Sequence, residues 1–360
     1  MSPRPALQPE VARALTTRST PSKPPGAVWV MGAGSLGCFI GGSLQAAGVP
    51  VHFIGRPRVL SALRATGLTL TDLDGRRVHL APQQLSLADA PSRSDARPSP
   101  ALVLLCVKSG STREVAASLD AVLEPRTLLL SLQNGVSNAS VAQQAAPSMR
   151  ALAGVVSFNV AEQGPGHFHR GTSGQLAAAR HGALEAWLPW FERAHLPLAL
   201  HTDMQSVQWA KLLLNLNNAV NALSGLPLRE QLLERGYRRV LAGLQAEALA
   251  VLDAADIVPA KLTPVPVHWL PTVLRLPTPL FKRVAARMLR VDASARSSMA
   301  DDLRRDRPTE IDALCGEVVR LATRVGSEAP ANARIAALVR TWPQRRQPYG
   351  PLELLRALGL

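Results

Sequence analysis

AVWVMGAGSLGCFIGGSLQAAGVPVHFI, residues Ala27–Ile54, is the stretch that decides the fold. Ala27 to Met31 is a short apolar run and predicts a buried strand. It passes directly into Gly32-Ala33-Gly34-Ser35-Leu36-Gly37, a Gly-x-Gly-x-x-Gly pattern. An apolar helical stretch follows and stops at Gly48, and Val49 to Ile54 predicts a second strand. A strand, this glycine spacing, a helix and a strand, in that order, predict a dinucleotide-binding unit of Rossmann type. Gly32 permits the tight turn, Gly34 lets a pyrophosphate approach the backbone, and Gly37 lets the helix pack closely on the strand. The helix N-terminus then offers free N–H groups to phosphates.

The end of the second strand bears on which dinucleotide fits. Sites for the unphosphorylated cofactor place an Asp or Glu there to hold the ribose 2′-hydroxyl. Here the chain reads Gly55-Arg56-Pro57-Arg58. A guanidinium without a carboxylate suits a 2′-phosphate, so NADPH is the expected cofactor, with Arg56 as its reader.

Working outward, residues 67–80 predict a hairpin turning at Asp74-Gly75. Leu102 to Val107 predicts an apolar strand ending at Lys108, and Leu128 to Leu132 another, followed by Gln133-Asn134-Gly135. Both ends fall on the ligand edge of an open α/β sheet. Residues 151–180 predict further strands, with His167 and His169 in a turn, and Ala183 to Ala194 predicts a helix.

From Asp203 the pattern is helical throughout. Asp203 is a candidate N-cap for a helix running through WAKLLLNLNNAVNAL, residues 209–223. Lys211, Asn215 and Asn218 share one face of that helix at i, i+4 and i+7, beside an apolar wall. The chain has 40 Lys+Arg, of which five are Lys. Where only charge matters it uses Arg, and a lysine can be tuned to give up its proton. Lys211 is therefore a candidate acid/base group, although a solvated lysine among amides fits the segment equally. Residues 229–254 predict one long amphipathic helix, and helix resumes over 281–289. Thr309 and Asp312 predict a capping box that leaves Glu310 in the first turn of a helix.

The bulk numbers exclude other classes. A chain of 360 residues with 47% hydrophobic content has ample core for two domains. No apolar run approaches the roughly 18 residues needed to span a bilayer. Cys38, Cys106 and Cys315 lie far apart, so no metal site and no disulfide framework is expected. The net charge of +14 invites a nucleic-acid reading. The arginines are scattered, however, and residues 1–26 and 335–360 each carry a net +3. Neither nucleic acid nor membrane is an expected partner. Residues 1–26 have no apolar core and are expected to be a disordered basic extension, not a secretory signal.

Several separated motifs together resemble the ketopantoate reductases (2-dehydropantoate 2-reductases). They are GAGSLG at 32–37, Arg56, VK at 107–108, QNG at 133–135, WAKLLLN at 209–215, SSM at 297–299 and RPTEID at 307–312. The likeness covers about residues 27–340. It implies an α/β chain with a Rossmann-type dinucleotide-binding domain over 27–202. An all-α substrate domain over 203–340 would follow, with an appendix over 341–360. It implies NADPH, bound by residues 32–37, Arg56, Lys108 and Asn134. It implies Lys211 as the general acid toward a ketone oxygen and Glu310 as its partner carboxylate. Asn215 and Ser298 match substrate-binding positions. One departure stands out. The family pattern has Asn eight residues after the lysine, and here that position is Ala219. Asn218 or Asn221 is expected to replace the missing amide.

The expected function is thus NADPH-dependent reduction of ketopantoate to pantoate, a cytoplasmic step of pantothenate biosynthesis. The alternatives are a paralogue acting on another branched or aromatic 2-oxo acid and, more distantly, a non-catalytic NADP(H)-binding sensor. The expected partner is a small-molecule 2-oxo acid, with homodimerisation left open.

Overall fold

The computed structural model describes residues 23–94, 99–286, 289 and 295–360. Most of the expected N-terminal extension, residues 1–22, lies outside the described residues. Twelve strands are described: β1 (Val28–Met31), β2 (Val51–Ile54), β3 (Leu68–Asp72), β4 (Arg77–Leu80), β5 (Ser86–Ala88), β6 (Leu102–Leu105), β7 (Leu128–Ser131), β8 (Arg150–Val156), β9 (Val160–Gly164), β10 (His167–Arg170), β11 (Leu176–Ala179) and β12 (Leu198–His201). Eight of them make one sheet in the order β12-β11-β8-β7-β6-β1-β2-β5. It is parallel except where β8 meets β11. β1, β6 and β7 are almost wholly apolar and buried, as strands covered on both faces must be. The chain leaves β1 toward β2 on one side and returns to β6 on the other. That reversal is the topological switch point at which doubly wound sheets bind ligands.

The helix Ser35–Ala46 lies between this sheet and a smaller one of order β4-β3-β10-β9. Its residues Gly37 to Leu44 are all buried, because both sides of the helix face apolar layers. Gly41 and Gly42 keep it thin. A Cβ on Gly41 would lie 2.6 Å from Val30 Cγ2, and one on Gly42 2.6 Å from Leu68 Cδ2. The expected hairpin is present as β3 and β4, with Gly75 at positive φ. His167 and His169 are not in a turn. They stand on β10, and both hydrogen-bond the Thr71 hydroxyl, at 3.0 and 2.9 Å.

Beyond residue 203 the described chain is helical. Asp203 caps Met204–Asn215 as expected, accepting from Ser206 N at 3.1 Å. The single helix expected over 209–223 is two, Met204–Asn215 and Asn217–Ser224, interrupted at Leu216. The break falls inside the asparagine cluster, at a residue that keeps helical φ −56° and ψ −26° and whose N–H still bonds Leu212 O. The helix expected over 229–254 is likewise two, Leu228–Leu233 and Arg235–Ala254, with Glu234 capping the second. The capping box at Thr309 and Asp312 does not form. Ile311–Ala313 is one 3₁₀ turn, and the α-helix begins only at Cys315. Residues 341–360 are packed down. Leu354, Leu355 and Leu358 are buried, and Tyr349 N–H donates to Leu223 O. Among the described residues no helix is long and apolar enough to cross a membrane.

Candidate active site

The three glycines of the first turn sit in three different environments. Gly32 has φ +106°, and a Cβ there would lie 2.6 Å from Val107 N, at the switch point between β1 and β6. A Cβ on Gly37 would lie 2.3 Å from Gly32 O and 2.8 Å from Val30 Cγ1. Gly34 has nothing within 4 Å of its Cβ position, so this face of the turn is open. Gly34 also occupies the N-cap of Ser35–Ala46 and leaves its first turn without a side-chain cap. The cradle therefore has space for a phosphate and N–H groups aimed at it. At the end of β2, Arg56 is exposed and makes no ion pair among the described residues. Arg58 is committed elsewhere, to Glu162.

A polar network crosses the mouth of the sheet. Asn134, just past β7, donates from Nδ2 to Glu310 Oε2 at 2.9 Å. Its Oδ1 accepts from Asn215 Nδ2 at 3.1 Å. Ser109, just past β6, donates to Glu310 Oε1 through both its N–H (3.2 Å) and its hydroxyl (3.0 Å). Asn138 Nδ2 bridges Ser109 Oγ and Asn134 O. Gln133 ties the two strand ends together through Val107 O and the Thr112 hydroxyl. A Cβ on Gly135 would lie 2.7 Å from Ala313 O, so the loop after β7 is pressed on the turn that carries Glu310. Lys108 pairs with Asp302 from the opposite side of the cleft. Burial raises the Asp302 carboxyl above its usual range, and the Lys108 ammonium opposes that rise.

Lys211 lies one helical turn before Asn215 on the same helix, so the two side chains leave one face. Burial lowers its ammonium to about 8. Among the described residues no carboxylate is within ion-pair distance of it. The expected Glu310–Lys211 pair is thus absent, because Glu310 is turned toward Ser109 and Asn134. A lysine brought near neutrality by desolvation alone can release or take up a proton at physiological pH.

The sequence pattern of "Ketopantoate reductase PanE/ApbA" matches residues 28–182, and that of its "C terminal" part matches residues 203–342. A 2-dehydropantoate 2-reductase of Halobacterium salinarum is 30% identical over 329 residues, 87% of this chain and 97% of the relative. The chain belongs to the ketopantoate reductase family. A solved PanE/ApbA family ketopantoate reductase from Ralstonia eutropha JMP134 is similar in fold. Its TM-score is 0.75 at 30% identity, over 89% of this chain and 99% of that one. A D-mandelate dehydrogenase solved with NADH and anilino(oxo)acetate shares the fold at TM-score 0.69 and 17% identity, over 89% of this chain and 99% of that one.

Against the family pattern, the network joins Asn134, Asn215 and Glu310 and leaves three expected substrate positions apart from it. Ser298 is exposed at the start of Ser298–Arg304, while the preceding Ser297 is the buried cap that accepts from Ala300 N. The Asn218 side chain is half-buried and makes no hydrogen bond among the described residues, while its backbone carbonyl accepts from Ser297 Oγ at 3.2 Å. Asn221 does not replace the missing amide. It is fully buried and bonded to Leu226 O and Ser297 N. Ala219 itself is 1% exposed in the helical core. Sequence reading missed Ser109, Asn138 and Asp302. Ser109 directly follows Lys108 at a strand end, which is the one signal that pointed to it.

Proposed function

We propose that this protein reduces ketopantoate to pantoate with NADPH, a step of pantothenate biosynthesis in the cytoplasm. The observation that carries the reading is the Asn215–Asn134 hydrogen bond. It lays the face of the helix that bears Lys211 against the carboxyl ends of the parallel strands, where a nicotinamide would lie. The open face at Gly34, the uncapped helix and Arg56 suit a phosphorylated dinucleotide. When bound, that cofactor supplies the hydride. Lys211 supplies the proton to the ketone oxygen, directly or through one water. A value of about 8 makes it a stronger acid than a free lysine, yet it remains charged at neutral pH. Glu310, held by three donors, orients Asn134 and the substrate hydroxyl. Asn215, Asn218 and Ser298 donate to the substrate carboxylate. Lys108 stands at the nicotinamide ribose. The division we propose is 27–202 for the cofactor and 203–340 for the substrate, assembled as a homodimer.

Ala219 favours a second reading within the same chemistry. A buried methyl group stands where the family pattern has an amide, and a paralogue acting on a 2-oxo acid with a different branched or aromatic tail is that second reading. The test is NADPH oxidation against a panel of 2-oxo acids that includes ketopantoate. Ketopantoate should give the highest kcat/KM. A preference for another member by tenfold or more selects the second reading, and no turnover of any member rejects both.

A further inference from the structure

Arg58 and Glu162 form a two-pronged ion pair beside the dinucleotide turn. Nη1 donates to Oε1 at 2.8 Å and Nη2 to Oε2 at 2.9 Å. Arg58 stands in the first turn of the helix Pro57–Thr66, two positions past Arg56. Glu162 stands on β9, in the small sheet that covers Ser35–Ala46. Glu162 is the more enclosed partner, its side chain 15% exposed against 57% for Arg58. Its charge is felt at the N-terminal part of that helix. Cys38 there is kept protonated first by burial, then by Cys106 and by Glu162. The helical half contributes as well. The Arg58 hydrogen bonds hold the Glu162 carboxyl below its usual range against burial, and the charges of Arg305 and Arg307 add to them.

A carboxylate at the mouth of an NADPH site has a definite cost. A 2′-phosphate brings nearly two negative charges into its neighbourhood, and NADH does not. The two-pronged pair also ties β9 to the helix Pro57–Thr66, a structural role that the double variant below separates from the electrostatic one. We infer that Glu162 is a specificity-determining counter-charge: by taking up Arg58 it moderates the pull of the guanidinium cluster on the 2′-phosphate and leaves Arg56 as the reader. This rests on the proposed role of Arg56. Removing Glu162 frees a cation next to the phosphate, whereas removing Arg58 bares an anion there.

The test is titration of the full chain with NADPH and with NADH, for wild type, Glu162→Gln, Arg58→Ala, their double variant and Arg56→Ala. Glu162→Gln should tighten NADPH by about three- to tenfold and NADH by less, the scale of one charge acting through a wet surface. Arg58→Ala should weaken NADPH selectively, and the double variant should return near the wild-type ratio. An unchanged or lowered NADPH preference in Glu162→Gln overturns the inference. If that variant does not fold, an unchanged preference in Arg58→Ala does so. If Arg56→Ala loses NADPH selectively while the other variants do not shift the ratio, only this inference fails. If Arg56→Ala weakens both cofactors equally, the 2′-phosphate reading fails with it.

Discussion

Burial, and not a partner, lowers the Lys211 ammonium to about 8. Its ammonium is the acid form, which predominates below about 8 and is lost above it. Reduction of the 2-oxo acid should therefore be level at lower pH and fall as pH rises through about 8. Oxidation of the hydroxy acid needs the free amine and should rise through the same range. A kcat profile of reduction that stays level to pH 10 would place the acid elsewhere. The candidacy of Lys211 was legible in the sequence, because lysine is rare in this chain and this one sits among amides. The environment of Glu310 was not. A capping-box pattern at Thr309 and Asp312 pointed to an ordinary helix start. Only the fold shows that the loops after β6 and β7 bring Ser109 and Asn134 to that carboxylate. Such contacts span 176 and 201 residues, beyond the reach of any local pattern.

At the scale of elements, the dinucleotide turn separates packing from binding within six residues. In Gly37→Ala the new methyl group would lie 2.3 Å from a backbone carbonyl and 2.8 Å from Val30 Cγ1. That variant should lose about 1–3 kcal/mol of stability, the usual cost of overpacking, measured by urea unfolding. Gly34→Ala meets only open space and should unfold like wild type. Its NADPH affinity should nonetheless fall by roughly tenfold or more, about 1.4 kcal/mol, because the methyl group occupies the phosphate's approach. Equal stability losses in both variants, with unchanged affinity in Gly34→Ala, would make the turn purely structural. The strands and this turn were readable because apolar runs bounded by glycine have a short-range cause. The break at Leu216 and the 3₁₀ turn at Ile311–Ala313 were not, since helical periodicity continues through both. At the first, Asn215 is drawn across to Asn134, and at the second, Gly135 packs on Ala313.

At the scale of the molecule, the site exists only where the two halves meet. Lys108 with Asp302, Ser137 with Glu317, and Asn134 with Asn215 and Glu310 all join the loops of the large sheet to the helices. The change from strand to helix near Asp203 was legible in the patterning, but the bridges were not. In the proposed account the sheet half holds the cofactor and the helical half supplies the proton. Lys211→Ala tests that division most directly, through steady-state kinetics with the best 2-oxo acid and NADPH titration of the same variant. In Lys211→Ala kcat should fall by about 10²–10⁴-fold, the scale of a positioned acid, with NADPH affinity unchanged and no rescue by Lys211→Arg. A kcat close to wild type in Lys211→Ala would contradict that division.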